Sequence, residues 1–124
     1  MPAESRSPGR CGDGSIFVAG TAILLHDIGP INFKAHIYVG RGSYIAPNVG
    51  IITANHDLYD LDKHQEGRDV VIGDGCWIGM NAIILPGVVL GEHTVVAAGA
   101  VVTKSFSRGH VVLGGNPAKV LKEL

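Results

Sequence analysis

One histidine, His56, sits where a regular pattern of the chain breaks, in Thr53-Ala54-Asn55-His56-Asp57. An imidazole titrates near pH ~6.5, so it can accept or release a proton at neutrality and suits general acid–base chemistry. The chain holds six histidines, and a lone histidine is more often structural than catalytic. His36 and His93 lie inside repeat units. His56 is set apart because it closes the last regular unit before Asp57–Val71 (DLYDLDKHQEGRDVV), the most charged stretch of the sequence. Asp57, Asp60, Asp62 and Glu66 are near enough in sequence to orient it, and spacing singles out none of them.

The pattern that breaks has a period of six. From Ile72 to Lys104 the first position of each hexad is aliphatic: Ile72, Ile78, Ile84, Leu90, Val96 and Val102. The second is usually Gly or Ala (Gly73, Gly79, Gly91, Ala97), and the fifth is small or β-branched (Cys76, Ala82, Val88, Thr94, Ala100). An α-helix advances about 100° per residue, so a six-residue repeat would scatter its aliphatic side chains around the axis. A simple two-residue alternation also fails, because the third positions (Asp74, Met80, Pro86, Glu92, Ala98, Lys104) are mostly not core residues. The period predicts a short flat strand, a corner and the next strand, with first and fifth side chains stacked inward. Three hexads make one triangular coil, and coils stack into a β-helical prism.

The bulk properties agree. The 124 residues are 46% hydrophobic but only 6% aromatic, which suits a narrow aliphatic core in one domain. Many of the 18 glycines fall at fixed repeat positions, so their number does not signal disorder. A net charge of −1 with no basic stripe predicts no nucleic-acid binding. No apolar run reaches the ~18 residues of a membrane helix, residues 1–14 lack a signal-peptide core, and the expected location is the cytoplasm. Two cysteines at unrelated positions form no disulfide framework. Cys76 reads as a small core residue.

In chain order, residues 1–14 are polar and rich in Gly, Pro and Ser, and read as a flexible lead-in to a single domain over 15–124. Ser15–Ile31 reads as a first, degenerate coil. The hexads run from Phe33 through Val39, Ile45 and Ile51. Ile51 and Ile72 are 21 residues apart, and 21 less one hexad leaves 15, which predicts a loop extruded over about 57–71. After Lys104 the repeat fades into a partial coil. Asn116 as N-cap and Pro117 as first helical residue, followed by Val120, Leu121 and Leu124, predict a short capping helix over about 117–124.

The hexads, Ile72-Gly-Asp-Gly-Cys-Trp-Ile-Gly, the Pro86-Gly87 unit, Gly99-Ala-Val-Val-Thr-Lys and Gly114-Gly-Asn-Pro-Ala-Lys-Val together resemble the hexapeptide-repeat acyltransferases, most of all the sugar and polysaccharide O-acetyltransferases related to galactoside and maltose acetyltransferases. The resemblance covers roughly Phe33 to Leu124. It implies an all-β, left-handed parallel β-helix, an exception to right-handed crossovers, assembled as a homotrimer with active sites between subunits. It also implies transfer of an acetyl group from acetyl-CoA to a hydroxyl or amine, with no metal. His56 matches the position of the family's catalytic histidine, where it would take the proton of a sugar hydroxyl attacking the thioester. For acetyl-CoA the resemblance points to backbone at Met80 and Ala98, to Thr103 and Lys104, and to Lys119 and Lys122, whose ammonium groups suit the nucleotide phosphates. His26 and Asp27 fall near the acceptor-binding positions, where galactoside acetyltransferases carry an Asn. Trp77 ends its hexad and is expected to point outward, into the loop or a subunit interface.

Three other readings compete. An N-acetyltransferase acting on an amino or nucleotide sugar would need the same base. A γ-type carbonic anhydrase shares the fold, but its close H-x4-H ligand pair is missing, the histidine spacings being 10, 20, 8, 29 and 17. A non-catalytic assembly module would have no use for His56 and its loop.

Overall fold

A computed structural model describes Gly9, Arg10, residues 35–63 and residues 65–124. The proposed first coil over 15–31, with His26 and Asp27, lies outside the described residues. Within them the chain is built of strands, mostly of two or three residues, and contains no helix.

The strands form three faces of a prism. The first face holds β1 (Gly9–Arg10), β2 (Ile37–Val39), β5 (Val70–Ile72) and β8 (Val89–Leu90). The second holds β3 (Tyr44–Ile45), β6 (Trp77–Ile78), β9 (Val95–Val96), β11 (Val111–Gly114) and β12 (Lys119–Glu123). The third holds β4 (Gly50–Ile51), β7 (Ile83–Ile84) and β10 (Val101–Val102). Each strand from β2 to β11 pairs in parallel with the strand one coil away, whereas β1 and β12 pair antiparallel at the edges.

Register gives the coil length directly. Trp77 pairs with Val95 and Ile83 with Val101, a separation of 18. Tyr44 pairs with Trp77 and Gly50 with Ile83, a separation of 33. Thirty-three less 18 leaves 15, the same remainder that the interrupted hexad phase leaves. The last coil is slightly short, since Val95 pairs with Val112, 17 residues on.

The core consists of the first and fifth hexad positions. Ile72, Cys76, Ile78, Ala82, Ile84, Val88, Leu90, Val96, Ala100 and Val102 are all buried, with Val49 and Ile51 above them. Burying each aliphatic side chain stabilises the fold by about 1.5–3 kcal/mol relative to exposure. The buried hydroxyls are bonded within the stack: Ser43 Oγ donates to the Gly73 carbonyl (2.8 Å), and Thr94 Oγ1 to that of Gly91 (2.7 Å).

The corners follow from two further positions. A Cβ added to Gly79, at a second position, would lie 2.7 Å from the Ala98 nitrogen and 2.8 Å from the Val96 oxygen, so neighbouring coils close on that glycine. The fourth position takes a left-handed backbone in every hexad from Ile72 to Val96: Gly75, Asn81, Gly87, His93 and Gly99 have φ between 57° and 83°. Gly and Asn visit that region most readily. His93 occupies it as well, and its ring stacks on that of His110 one coil on, with centroids 5.5 Å apart.

The C-terminal helix expected over 117–124 is not formed. Lys119–Glu123 is strand β12, bonded antiparallel to β11 with a register shift between Val112 and Leu113. The edge of β11 would otherwise present unpaired backbone groups, and pairing satisfies them where a helix would not.

Candidate functional site

The insertion leaves the prism at the corner between the third and first faces. In the coils below, the same corner is turned by Leu85–Val88 and by Thr103–Ser105. Here Ile52 N–H still bonds to the Ile84 carbonyl (2.9 Å), Thr53 and Ala54 are buried, and the chain then departs. It returns alongside itself: Gln65 N–H bonds to the Asn55 carbonyl (2.9 Å) and Arg68 N–H to the Thr53 carbonyl (2.8 Å). Asp57 N–H reaches the Lys63 carbonyl (2.9 Å), so the excursion is a narrow ladder rather than an open loop.

Aspartates build the tip. The Asp57 carboxylate accepts from the N–H groups of Tyr59 (2.8 Å) and Asp60 (3.1 Å), and the Asp60 carboxylate from that of Asp62 (3.1 Å). These are Asx turns, in which a short side chain bonds backbone just ahead of it. They present Leu58, Tyr59 and Leu61 to solvent, Tyr59 being 99% exposed.

His56 lies at the base of this tip and is half-buried. Its Nδ1 is 2.8 Å from the Leu61 carbonyl oxygen. A carbonyl can only accept, so the bond requires the proton on Nδ1, and Nε2 is then the basic nitrogen of the neutral ring. Of the carboxylates that the sequence offered, Asp57 and Asp60 hold the turn, and a backbone carbonyl holds the ring. Sequence inspection missed Leu61 because a carbonyl carries no side-chain signal.

The candidate cofactor residues fall on both borders of the third face. Met80 and Ala98 sit at equivalent corner positions one coil apart, where Gly99 N–H bonds to the Met80 carbonyl (2.8 Å). Asn48 and Asn81 extend that corner, Asn48 Nδ2 donating to Asn81 Oδ1 at 2.6 Å. Thr103 and Lys104 lie on the opposite border, the corner from which the insertion departs. Lys104 Nζ is 5.6 Å from the centre of the Phe106 ring, a cation–π contact. Between the borders, Ile83 is partly exposed and Gly50 leaves open space above the strand. Lys119 and Lys122 are exposed on β12, on the second face near the final coil. The structure therefore brings Met80, Ala98, Thr103 and Lys104 to the borders of one face and sets Lys119 and Lys122 on the neighbouring face, near the final coil. Trp77 points outward beside Tyr44 on the second face, 58% and 65% exposed. That face is not the corner from which the insertion departs.

Among the described residues, no group of three or more His, Cys, Asp or Glu side chains could hold a metal ion. No described helix is long and apolar enough to cross a membrane.

Stacked hexads closed into a three-faced parallel β-helix, with one charged excursion, define the class as a hexapeptide-repeat protein. Residues 69–104 match the bacterial transferase hexapeptide family (six repeats). A galactoside O-acetyltransferase of Escherichia coli K12 is 35% identical over 91 residues, which is 71% of this chain and 44% of that protein. The structure of a maltose O-acetyltransferase from Clostridium difficile 630 superposes with a TM-score of 0.65 at 41% identity, over 71% of this chain and 48% of that one. A galactoside acetyltransferase in complex with coenzyme A gives 0.66 at 33% identity, over 70% and 44%. The chain thus spans about half the length of the proteins it matches.

Proposed function

We propose that this protein transfers an acetyl group from acetyl-CoA directly to a hydroxyl of a sugar or polysaccharide, with His56 as general base. The observation that carries the proposal is the Nδ1 contact of His56 with the Leu61 carbonyl at 2.8 Å, which leaves Nε2 as the proton acceptor. The similarity to galactoside and maltose O-acetyltransferases supports the reaction class and the acceptor class.

Acetyl-CoA supplies an activated acyl group as a thioester. The acceptor hydroxyl oxygen bonds to its carbonyl carbon while the hydroxyl proton passes to His56 Nε2. The C–S bond then breaks, and the thiolate takes a proton as free CoA forms. As Nε2 gains its proton, the Nδ1–H bond to Leu61 becomes charge-assisted and steadies the imidazolium. An amino sugar would react by the same proton path.

The third face suits the pantetheine arm. It is a shallow aliphatic strip around Gly50, Ile83 and Val101, bordered by Met80 and Ala98 on one side and by Thr103 and Lys104 on the other. Lys104, Lys119 and Lys122 are the cations for the phosphates. We place the complete site between subunits of a homotrimer, a reading supported by the apolar Tyr44 and Trp77 on an exposed face. The test is release of CoA thiol across a panel of sugars: His56→Ala abolishes acceptor-dependent release if the proposal holds, and full turnover by that variant would end it. Light scattering tests the trimer, and a clean monomer would sink the shared site.

A further inference from the structure

Arg68 closes the insertion that His56 opens, and its side chain is positioned in an unusual way. A Cβ built on Gly87 would lie 3.3 Å from each of Arg68 Nε, Cζ and Nη1. Three bonded atoms of one plane equidistant from a point put that point over the plane, so the guanidinium lies face-on across the Gly87 turn. Gly87 permits this twice over. Its φ of +83° closes the corner, and the missing side chain leaves the seat. The base of Arg68 is fixed too, through its N–H bond to Thr53 (2.8 Å).

Face-on packing orients a guanidinium without using its donors, because all its N–H bonds lie in the plane. Among the described residues, no carboxylate or carbonyl bonds to that fork. Asp69, the nearest acid in sequence, is turned to His36, whose N–H it accepts at 2.8 Å. Arg68 is therefore held in place, exposed, and has unspent donors arranged for a planar, two-oxygen anion.

We propose that Arg68 is the specificity residue for an acidic acceptor, reading a carboxylate on the sugar as a bidentate partner while His56 serves the hydroxyl. This rests on the acetyl-transfer reading above. Position decides between the acceptor and the cofactor as the source of the anion. The cations assigned to the nucleotide, Lys104, Lys119 and Lys122, lie on the third coil and beyond, each coil adding about 4.8 Å. Arg68 is tied to Thr53, three residues before His56, and its guanidinium seats on the Gly87 corner, one coil before the Lys104 corner; the proposed reaction puts the thioester, where CoA carries no charge, beside His56. An oxyanion there belongs to the acceptor.

The test uses methyl glucuronide and methyl glucoside as matched acceptors, with the intact protein and acetyl-CoA. The wild type should favour the uronide at least tenfold in kcat/KM, and Arg68→Gln should remove most of that preference. Arg68→Lys, which keeps charge without the fork, should fall between them. Equal use of both sugars by the wild type, or a preference untouched by Arg68→Gln, overturns the proposal. So does a raised KM for acetyl-CoA in Arg68→Gln with unchanged acceptor preference, because the anion would then be a cofactor phosphate. Calorimetric titration of glucuronate without acetyl-CoA separates this from failure of the transfer reading. Binding that is lost in Arg68→Gln upholds the site even if no sugar is acetylated, and no binding in the wild type rejects it.

Discussion

His56 Nδ1 bonds to the carbonyl of Leu61 at 2.8 Å, across five residues of the same insertion. A histidine held this way has its tautomer set by backbone, and no carboxylate is needed to set it. Removing the ring should then remove the proton acceptor while sparing the aliphatic core, outside which His56 lies. His56→Ala is expected to lower kcat by roughly 10²–10⁴-fold, the usual span for a general base, with thermal unfolding nearly unchanged. Steady-state kinetics beside a melting curve checks both halves, and a collapsed melting transition would make the histidine structural.

The carbonyl itself is positioned by the tip, and Asp57 organises the tip by accepting from Tyr59 and Asp60 N–H. Asp57→Ala frees those donors and lets Leu61 move relative to the ring. Displacements of an ångström near a reacting group cost up to about a hundredfold. A drop in kcat of about tenfold, with KM for acetyl-CoA unchanged, is expected here. A change confined to KM would place Asp57 in substrate binding.

Glycines of the repeat do not all serve the same end. Gly79 faces the next coil, where an added methyl would meet Ala98 and Val96 backbone within 2.8 Å. Gly50 has nothing within 4 Å of the same atom and no left-handed φ. Gly79→Ala should therefore destabilise by about 1–3 kcal/mol, as overpacking does. Gly50→Ala should leave stability unchanged or raise it by up to about 1 kcal/mol through the unfolded chain. Urea denaturation of the two variants decides it, and equal effects would refute the stacking account.

Much of this was legible because the hexad couples local conformation to burial at every turn. The inward set from Ile72 to Val102 and the 15-residue remainder both follow from counting alone. The left-handed fourth position carries its own sequence signal in Gly75, Asn81, Gly87 and Gly99, residues that adopt positive φ readily. The C-terminus misled for a different reason. Asn116-Pro117 is a sound local start for a helix, but the open edge of β11, a non-local demand, recruits Lys119–Glu123 as a strand. Val120 and Leu121 stay exposed in that strand, as does Leu124 just beyond it, so apolar content alone could not signal their conformation. Leu61 and Arg68 were illegible in principle, since one acts through a carbonyl and the other through a seat on a residue 19 positions away.

Cys76 gives a prediction about pH. It occupies a fifth hexad position, buried at 1% exposure, with Sγ 3.3 Å from the Gly91 carbonyl. Burial pushes its thiol up from the ordinary value of 9.0, because the interior disfavours the thiolate. The folded protein therefore holds this proton at a pH where the unfolded chain releases it. The thiol's contribution to stability is fully present below pH 9.0 and is lost as pH rises from there through the folded value. Cys76→Ala, matching Ala82 and Ala100 at the same repeat position, should cost about 1 kcal/mol at neutral pH for the lost volume. It should also lose less stability than the wild type above pH 9. Denaturant titrations of both proteins at pH 7 and pH 10 measure that difference. Parallel pH dependences would show that the thiol does not titrate with folding, and rapid alkylation of Cys76 itself in the native protein at pH 7, located by peptide mapping, would show that it is not sealed in the core.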